Sequence, residues 1–361
     1  QNLKRCTRCI LPQTFPYIEF DVNGVCNYCS NYKSKIKYNS IRDLEKILEP
    51  YRKPNNQPEI LVPLSGGRDS CYTLHYLVKE LKMKVITYTY DWGMVTDLAR
   101  RNCARICGKL GVENIIVAAD INMKRRNIKK NVSAWLKKPE LGMIPLFMAG
   151  DKYFFYYANQ ILVQNELKLS IWGSNPLENT DFKSGFTGIR PTFNKDRIDD
   201  LRINQKLVLI KYFLFNFIYN PAYLNNSLYD TLGAFFSRYL ISRKGYLQIF
   251  DYIDWNENKV NNLILDKYNW EKSVDANSTW RIGDGTAAFY NYIYFTSCGF
   301  SEFDTFRSNQ IREGQIDRES ALQMIEEDNV PRYQTIKWYL EIIGLNFSDV
   351  INRINSIPRK Y

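Results

Sequence analysis

The run Leu61-Val-Pro-Leu-Ser65-Gly66-Gly67-Arg68-Asp69-Ser70 constrains the fold of this chain more than any other segment. It reads as an apolar strand that passes through two glycines into the N-terminus of a helix. Glycine lets a backbone approach a ligand closely, the first N–H groups of a helix have no partner within it, and the helix dipole favours negative charge there. The chemistry is phosphate binding. The Gly-x-x-x-x-Gly-Lys-Ser/Thr pattern of kinases and GTPases is missing, so this is a different phosphate loop. Around it, apolar strands at 59–64, 84–90, 114–118 and about 168–172 alternate with helices over 69–82 and 96–110. That alternation predicts an α/β fold with a doubly wound parallel sheet. Pro63 lies inside the first strand, where the ladder must end or bend. The fourth strand runs into Gly173-Ser174-Asn175-Pro176, at the edge where open α/β sheets bind ligands.

Four of the eight cysteines form two Cys-x-x-Cys pairs, Cys6/Cys9 and Cys26/Cys29, separated by residues 10–25. This is zinc-ribbon spacing, and Asn23-Gly24 supplies a turn that would bring the two knuckles together. Four thiolates leave no open coordination position, so a Zn²⁺ here would be structural. Two local redox pairs are the alternative. The other cysteines, Cys71, Cys103, Cys107 and Cys298, are dispersed. Ala99, Cys103, Ile106 and Leu110 recur at helical spacing, which puts Cys103 on an apolar stripe.

The sequence divides into a zinc-ribbon module over 1–38, an α/β domain over 39–185 and a mostly helical, aromatic-rich region over 186–361 that packs on the sheet. Asn39-Ser40-Ile41-Arg42-Asp43 opens a helix to about Glu49, and Pro50 to Pro58 reads as a linker. The longest apolar stretch, Leu207 to Tyr219, is interrupted by Lys211 and Asn216 and is shorter than the roughly 20 residues a bilayer requires. No secretory signal opens the sequence either, and the cytoplasm is the expected address. Lysine and arginine outnumber the acids 49 to 38, which favours a polyanionic partner. The basic run from Lys124 to Lys138 has Ile128, Val132, Trp135 and Leu136 beneath it, so it reads either as the solvated side of an amphipathic helix or as an anion-binding patch. The single histidine, His75, lies beside the apolar face of the first helix and reads as a packing residue.

Ser-Gly-Gly-x-Asp-Ser between strand and helix resembles the pyrophosphate loop of the N-type ATP pyrophosphatases, which split ATP into AMP and pyrophosphate while adenylating a carbonyl oxygen. That resemblance implies ATP held by Ser65, Gly66, Gly67, Arg68, Asp69 and Ser70, together with Tyr90, Gly173 and Ser174, with Asp69 helping to hold Mg²⁺. The cysteine module, Tyr90-Asp91-Trp92-Gly93, Trp172-Gly-Ser-Asn-Pro-Leu-Glu178 and the segment Ser297 to Gly314 narrow it further. Together they resemble the N-acetyl-sugar amidotransferase family over nearly the whole chain, with Ser174 departing from an acidic residue in relatives. The family converts an acetamido group to an acetamidino group in sugars of bacterial surface glycans such as O-antigens and lipopolysaccharide. The implied reaction is attack of the amide oxygen on the α-phosphorus of ATP, loss of pyrophosphate, attack of ammonia on the adenylated carbon, and release of AMP.

With one histidine and no N-terminal cysteine, no glutaminase is evident in the chain. The resemblance implies separate glutaminase and ammonia-channelling barrel subunits like the two parts of imidazole-glycerol-phosphate synthase, and a nucleotide-linked N-acetyl sugar as substrate. Polar positions among aromatics nominate Glu178, Arg281, Asp284 and Arg307 for catalysis and Asn256, Glu257, Glu302, Asp304 and Arg312 for substrate binding. Each also fits a structural ion pair. The rival reading is a tRNA sulfurtransferase of the zinc-ribbon type, which would need a reactive cysteine among Cys103, Cys107 and Cys298.

Overall fold

The computed structural model describes residues 3–34, 39–148, 150–179, 182–193, 202–239, 241–243 and 245–361. The cysteine module comes first, with a one-turn helix α1 (Asn27–Ser30), followed by α2 (Ile41–Leu48). Ser40 and Asp43 close a reciprocal capping box at the start of α2, as the sequence predicts. Five strands then build one sheet: β1 (Ile60–Pro63), β2 (Val85–Asp91), β3 (Asn114–Ala118), β4 (Ser170–Trp172) and β5 (Tyr246–Gln248). All neighbours are parallel and the order is β3-β2-β1-β4-β5. Ile60 pairs with Val85, Leu61 with Ser170, and Thr87 with Asn114. Pro63 occupies the last position of β1, and the ladder survives one step beyond it because the Leu64 N–H donates to the Tyr88 carbonyl at 2.7 Å.

The helices cover both faces. Among the α/β crossovers, α3 (Arg68–His75) follows β1, α4 (Asp97–Leu110) follows β2, α5 (Ile121–Lys137) follows β3, and α6 (Phe154–Gln164) precedes β4. On one face Ile60, Val62 and Ile171 pack with Leu74 of α3 and Ile106 of α4. On the other, Leu61, Ile86 and Tyr88 pack with Phe155, Ile161 and Leu162 of α6. Alternate residues of β1 thus feed two cores, the signature of a strand buried on both sides. The order reverses between β1 and β4, which makes their C-terminal ends the switch-point crevice where open sheets take ligands.

Later elements are α7 (Phe182–Gly185), α8 (Ile203–Tyr219), α9 (Ser227–Tyr239), α10 (Glu257–Tyr268), α11 (Gly285–Cys298), α12 (Glu302–Arg312), α13 (Arg318–Asp328), α14 (Tyr333–Ile342) and α15 (Phe347–Asn355). The sheet takes one strand from beyond residue 185, because β5 hydrogen-bonds to β4. The helix expected over 69–82 changes character along its length: regular α structure ends at His75, and a π-type turn continues it over Tyr76–Glu80. The basic helix is α5, where Arg126, Lys129 and Lys130 are exposed, as a solvated face requires. Lys124 is the exception, buried in an ion pair with Asp230 of α9.

The cysteine module is docked rather than appended. Phe15 meets Phe182 and Phe300, Arg5 pairs with Asp304, and the Arg318 guanidinium donates to the carbonyls of Cys6 and Cys9. Among the described residues no helix is long and apolar enough to cross a membrane.

Candidate functional site

The glycine loop stands at the switch point. Gly66 has φ +74°, and a Cβ on it would lie 2.2 Å from the Ala99 carbonyl oxygen, so only glycine lets the loop sit this close to α4. Gly173, after β4, is a second close approach: a Cβ there would lie 2.2 Å from Thr73 Oγ1 and 2.9 Å from the Asp69 carbonyl. Ser65 and Ser70 close the loop on itself, their hydroxyls 3.1 Å apart, while Ser65 N–H donates to Ser70 Oγ and Gly67 N–H to Ser65 Oγ. No side chain caps α3, whose first turn is left for an anion.

This loop forms the floor of a cleft of about 1370 Å³. Of the predicted residues, Ser65, Gly67, Arg68, Asp69, Ser70, Tyr90, Gly173, Ser174, Glu178, Arg281, Asp284 and Arg312 line it. Gly66 shapes the loop from behind. Asp69 Oδ1 accepts the indole N–H of Trp255 at 2.7 Å, which fixes its rotamer. Glu178 hydrogen-bonds to Asp69, and burial together with the Asp69 charge pushes its carboxyl up to about 8. The Asp69 and Glu178 carboxyls beside the glycine loop are a donor set suited to Mg²⁺, whose charge would replace the Glu178 proton and which shares its shell with phosphate oxygens. Asp284 caps α11 by accepting the Thr286 N–H at 2.8 Å, and burial raises it to about 6. Arg281 stands beside it with φ +54°, a strained conformation held because Arg332 donates to its carbonyl at 2.8 Å.

The remaining predicted pocket residues lie outside the cleft wall, and their partners show why. Glu257 pairs with Arg68 at 2.6 Å and with Arg307, whose Nε also binds Asp328 at 2.9 Å. Arg68 therefore touches the cleft with its backbone side, while its guanidinium is committed to Glu257 and Thr279 and lies over Trp255 and Phe306. Asn256 caps α10 by accepting the Lys259 N–H. Asp304 accepts Arg5, Asn329 and the Ser301 N–H, joining the cysteine module to α12. Glu302 is fully buried and accepts Tyr290 at 2.8 Å beside Lys183 and Arg281. Asn256, Glu257, Glu302, Asp304 and Arg307 therefore stand outside the cleft wall, each engaged with another side chain or with backbone.

Glu302 gives a clean prediction. Burial alone would raise its carboxyl, but Arg281 and Lys183 outweigh that and hold it at about 2. Its folded pKa lies below the unfolded value of about 4.3, so its stabilisation is complete above that pH and is lost as pH falls towards about 2. Glu302→Gln leaves two cations without their counter-charge, and denaturant titration at neutral pH should show a loss of about 3 kcal/mol.

The four module sulfurs lie within 4.8 Å of one another, with Cys6–Cys29 at 4.0 Å and Cys9–Cys26 at 3.8 Å. Tetrahedral bonds of about 2.3 Å put thiolates about 3.8 Å apart, so the set fits one metal ion. Sequence reasoning missed what Arg312 does. It donates to Cys29 Sγ and Cys9 Sγ, both at 3.3 Å, and to Asn309, which donates to the carbonyls of Leu177 and Asn179 on either side of Glu178. Also missed were Lys152, Asp151, Trp172 and Gln248 in the cleft wall; Gln248 arrives on β5 and accepts the Ser174 N–H at 3.1 Å. No motif marks a three-residue edge strand.

His75 packs as expected, buried, with Nδ1 2.6 Å from the Tyr268 hydroxyl. No cysteine lines the cleft; Cys103 and Cys298 are buried, and desolvation pushes each thiol up to about 12. A sulfur-transfer reading that depends on a cysteine nucleophile finds none here. No protein-family profile and no curated protein matches the chain. Among solved structures it is similar to the U34-tRNA thiolase NcsA from Methanococcus maripaludis with its [4Fe-4S] cluster, at 12% identity over 99% of this chain and 97% of that one. The TM-score is 0.31, a likeness that carries no argument about chemistry.

Proposed function

We propose that the chain is an ATP-dependent, AMP-forming amidotransferase of the pyrophosphate-loop type that converts the acetamido group of a nucleotide-linked N-acetyl sugar to an acetamidino group. The observation that supports this most is the uncapped Ser65–Ser70 loop at the β1/β4 switch point, facing a cleft large enough for a nucleotide and a sugar together. Loop N–H groups and the Ser65 and Ser70 hydroxyls would hold the departing pyrophosphate, where negative charge develops. Asp69 and Glu178 would hold Mg²⁺, which supplies charge neutralisation on the phosphates. Their donor chemistry fits that ion; Asp69 is oriented by Trp255, and Glu178 is steadied through Asn309.

Arg281 and Asp284 face the same cleft from the far side of the loop and would position the sugar. Asp284, raised to about 6, is ionised at neutral pH and suited to take the proton that attacking ammonia loses. The ammonia would come from separate glutaminase and channel-forming subunits. Zn²⁺ is the ion proposed for the four thiolates, in a closed structural site. Asp284→Asn tests the base assignment: with ammonium supplied, amidine formation should fall about 10²-fold, while ATP affinity stays unchanged. Equal turnover would remove Asp284 from the mechanism.

A further inference from the structure

We propose that the outward side of α8 and α9 docks the chain on the surface of an anionic lipid bilayer. In α8, Ile203, Leu207, Ile210, Leu214 and Ile218 recur at helical spacing along about 22 Å of one side. All five are exposed, Ile218 at 79% and Ile203 at 75%. Leu224 continues the surface, and α9 adds exposed Tyr229, Leu232 and Phe236. An exposed apolar stripe of this length, with further exposed apolar residues on the next helix, marks a binding surface on a folded protein.

Charge says what covers it. Between residues 202 and 239 the only acid is Asp230, and it is buried against Lys124. Arg202 and Lys211 are exposed, and Lys138 sits over the Tyr219 ring at 3.9 Å, at the end of the stripe. A second copy of this chain would set Arg202 and Lys211 against themselves, with no exposed acid on the described residues of the two helices to pair them. Lysine is also depleted from the cores of protein interfaces, whereas Lys211 stands in the middle of the stripe. At a bilayer its stem lies along the acyl boundary and its ammonium reaches the phosphates. Aliphatic residues flanked by Lys and Arg, with Tyr219 and Tyr229 near the ends, are the composition of an interfacial helix rather than a spanning one. The same helix turns Gln205 and Lys206 into the cleft wall, so the docked bilayer would lie beside the cleft. This inference goes beyond the proposed reaction and does not depend on it.

The test is flotation of the full chain with vesicles of phosphatidylglycerol and phosphatidylcholine, and with phosphatidylcholine alone. The chain should float with the anionic vesicles and be released as salt rises. The double variant Leu207→Glu/Leu214→Glu should partition about tenfold less at an unchanged melting temperature, and Lys211→Glu should weaken binding on its own. Absence of flotation at low salt, equal flotation on both vesicle types, or full flotation of the double variant would overturn the proposal. So would a doubled solution mass that the double variant returns to one chain, which would assign the face to a second copy.

Discussion

Asp69→Asn is expected to lower ATP-dependent pyrophosphate release about 10³-fold without lowering the melting temperature. The side chain sits in the first turn of α3, its Oδ1 accepting the Trp255 indole at 2.7 Å. Asparagine keeps that shape and that acceptor and also ends the competition with the Glu178 carboxyl, so the fold should not lose stability. What disappears is the negative charge that, in the proposed reaction, would face Mg²⁺ and the transferring phosphoryl group. The effect should fall on kcat more than on the KM for ATP, because loop N–H groups still bind the ground-state phosphates. A variant with full activity would exclude Asp69 from the reaction centre. Glu178→Gln separates the pair: it ends the competition between two carboxylates in one buried place, so stability should rise slightly while activity falls.

Cys9→Ser should be the largest stability change in the molecule. Structural zinc sites in small modules supply on the order of 10 kcal/mol, and a hydroxyl does not replace a thiolate at such a centre. The loss would not stay local. Cys9, Phe15 and Tyr28 belong to the same core as Phe182 and Phe300, and Arg312 spans from two of the sulfurs to Asn309 and the loop bearing Glu178. Elemental analysis of the wild-type chain should give one zinc per molecule, and Cys9→Ser should give less, with a lower denaturation midpoint and weakened ATP binding. Metal-free wild-type protein with an unchanged midpoint would mean that the four thiols need no ion.

The phosphate loop and the cysteine module were legible because each depends on local residues at fixed spacing. Gly66 is required by one close approach to Ala99, and Cys6, Cys9, Cys26 and Cys29 by the reach of two knuckles. Four strands read correctly for the same reason: apolar runs with turn residues at both ends. β5 did not, because three residues at a sheet edge take their conformation from pairing with β4 rather than from their own pattern. Which polar residues line the cleft was not legible, for a more general reason. An acid or arginine among aromatics satisfies a buried network as well as a substrate, and sequence does not say which side of a helix faces the cleft. Glu257, Arg307 and Glu302 face the interior, where Arg68, Asp328 and Lys183 neutralise them. Arg281 and Asp284 face the cleft because the segment 282–285 is bound to residues 94–96, where the Thr96 hydroxyl and N–H donate to the carbonyls of Ile282 and Gly283. That pairing joins positions almost two hundred residues apart, and no local pattern announces it.

The central claim is tested most directly by mass spectrometry of products after the protein is incubated with ATP, Mg²⁺, ammonium and a panel of nucleotide-linked N-acetyl sugars, with unmodified tRNA as a parallel acceptor. The account predicts a sugar in which one oxygen has become NH, with AMP and pyrophosphate formed in equal amounts, and no product from Asp69→Asn. Unchanged sugars, together with tRNA that provokes AMP release or gains sulfur from a donor, would contradict it.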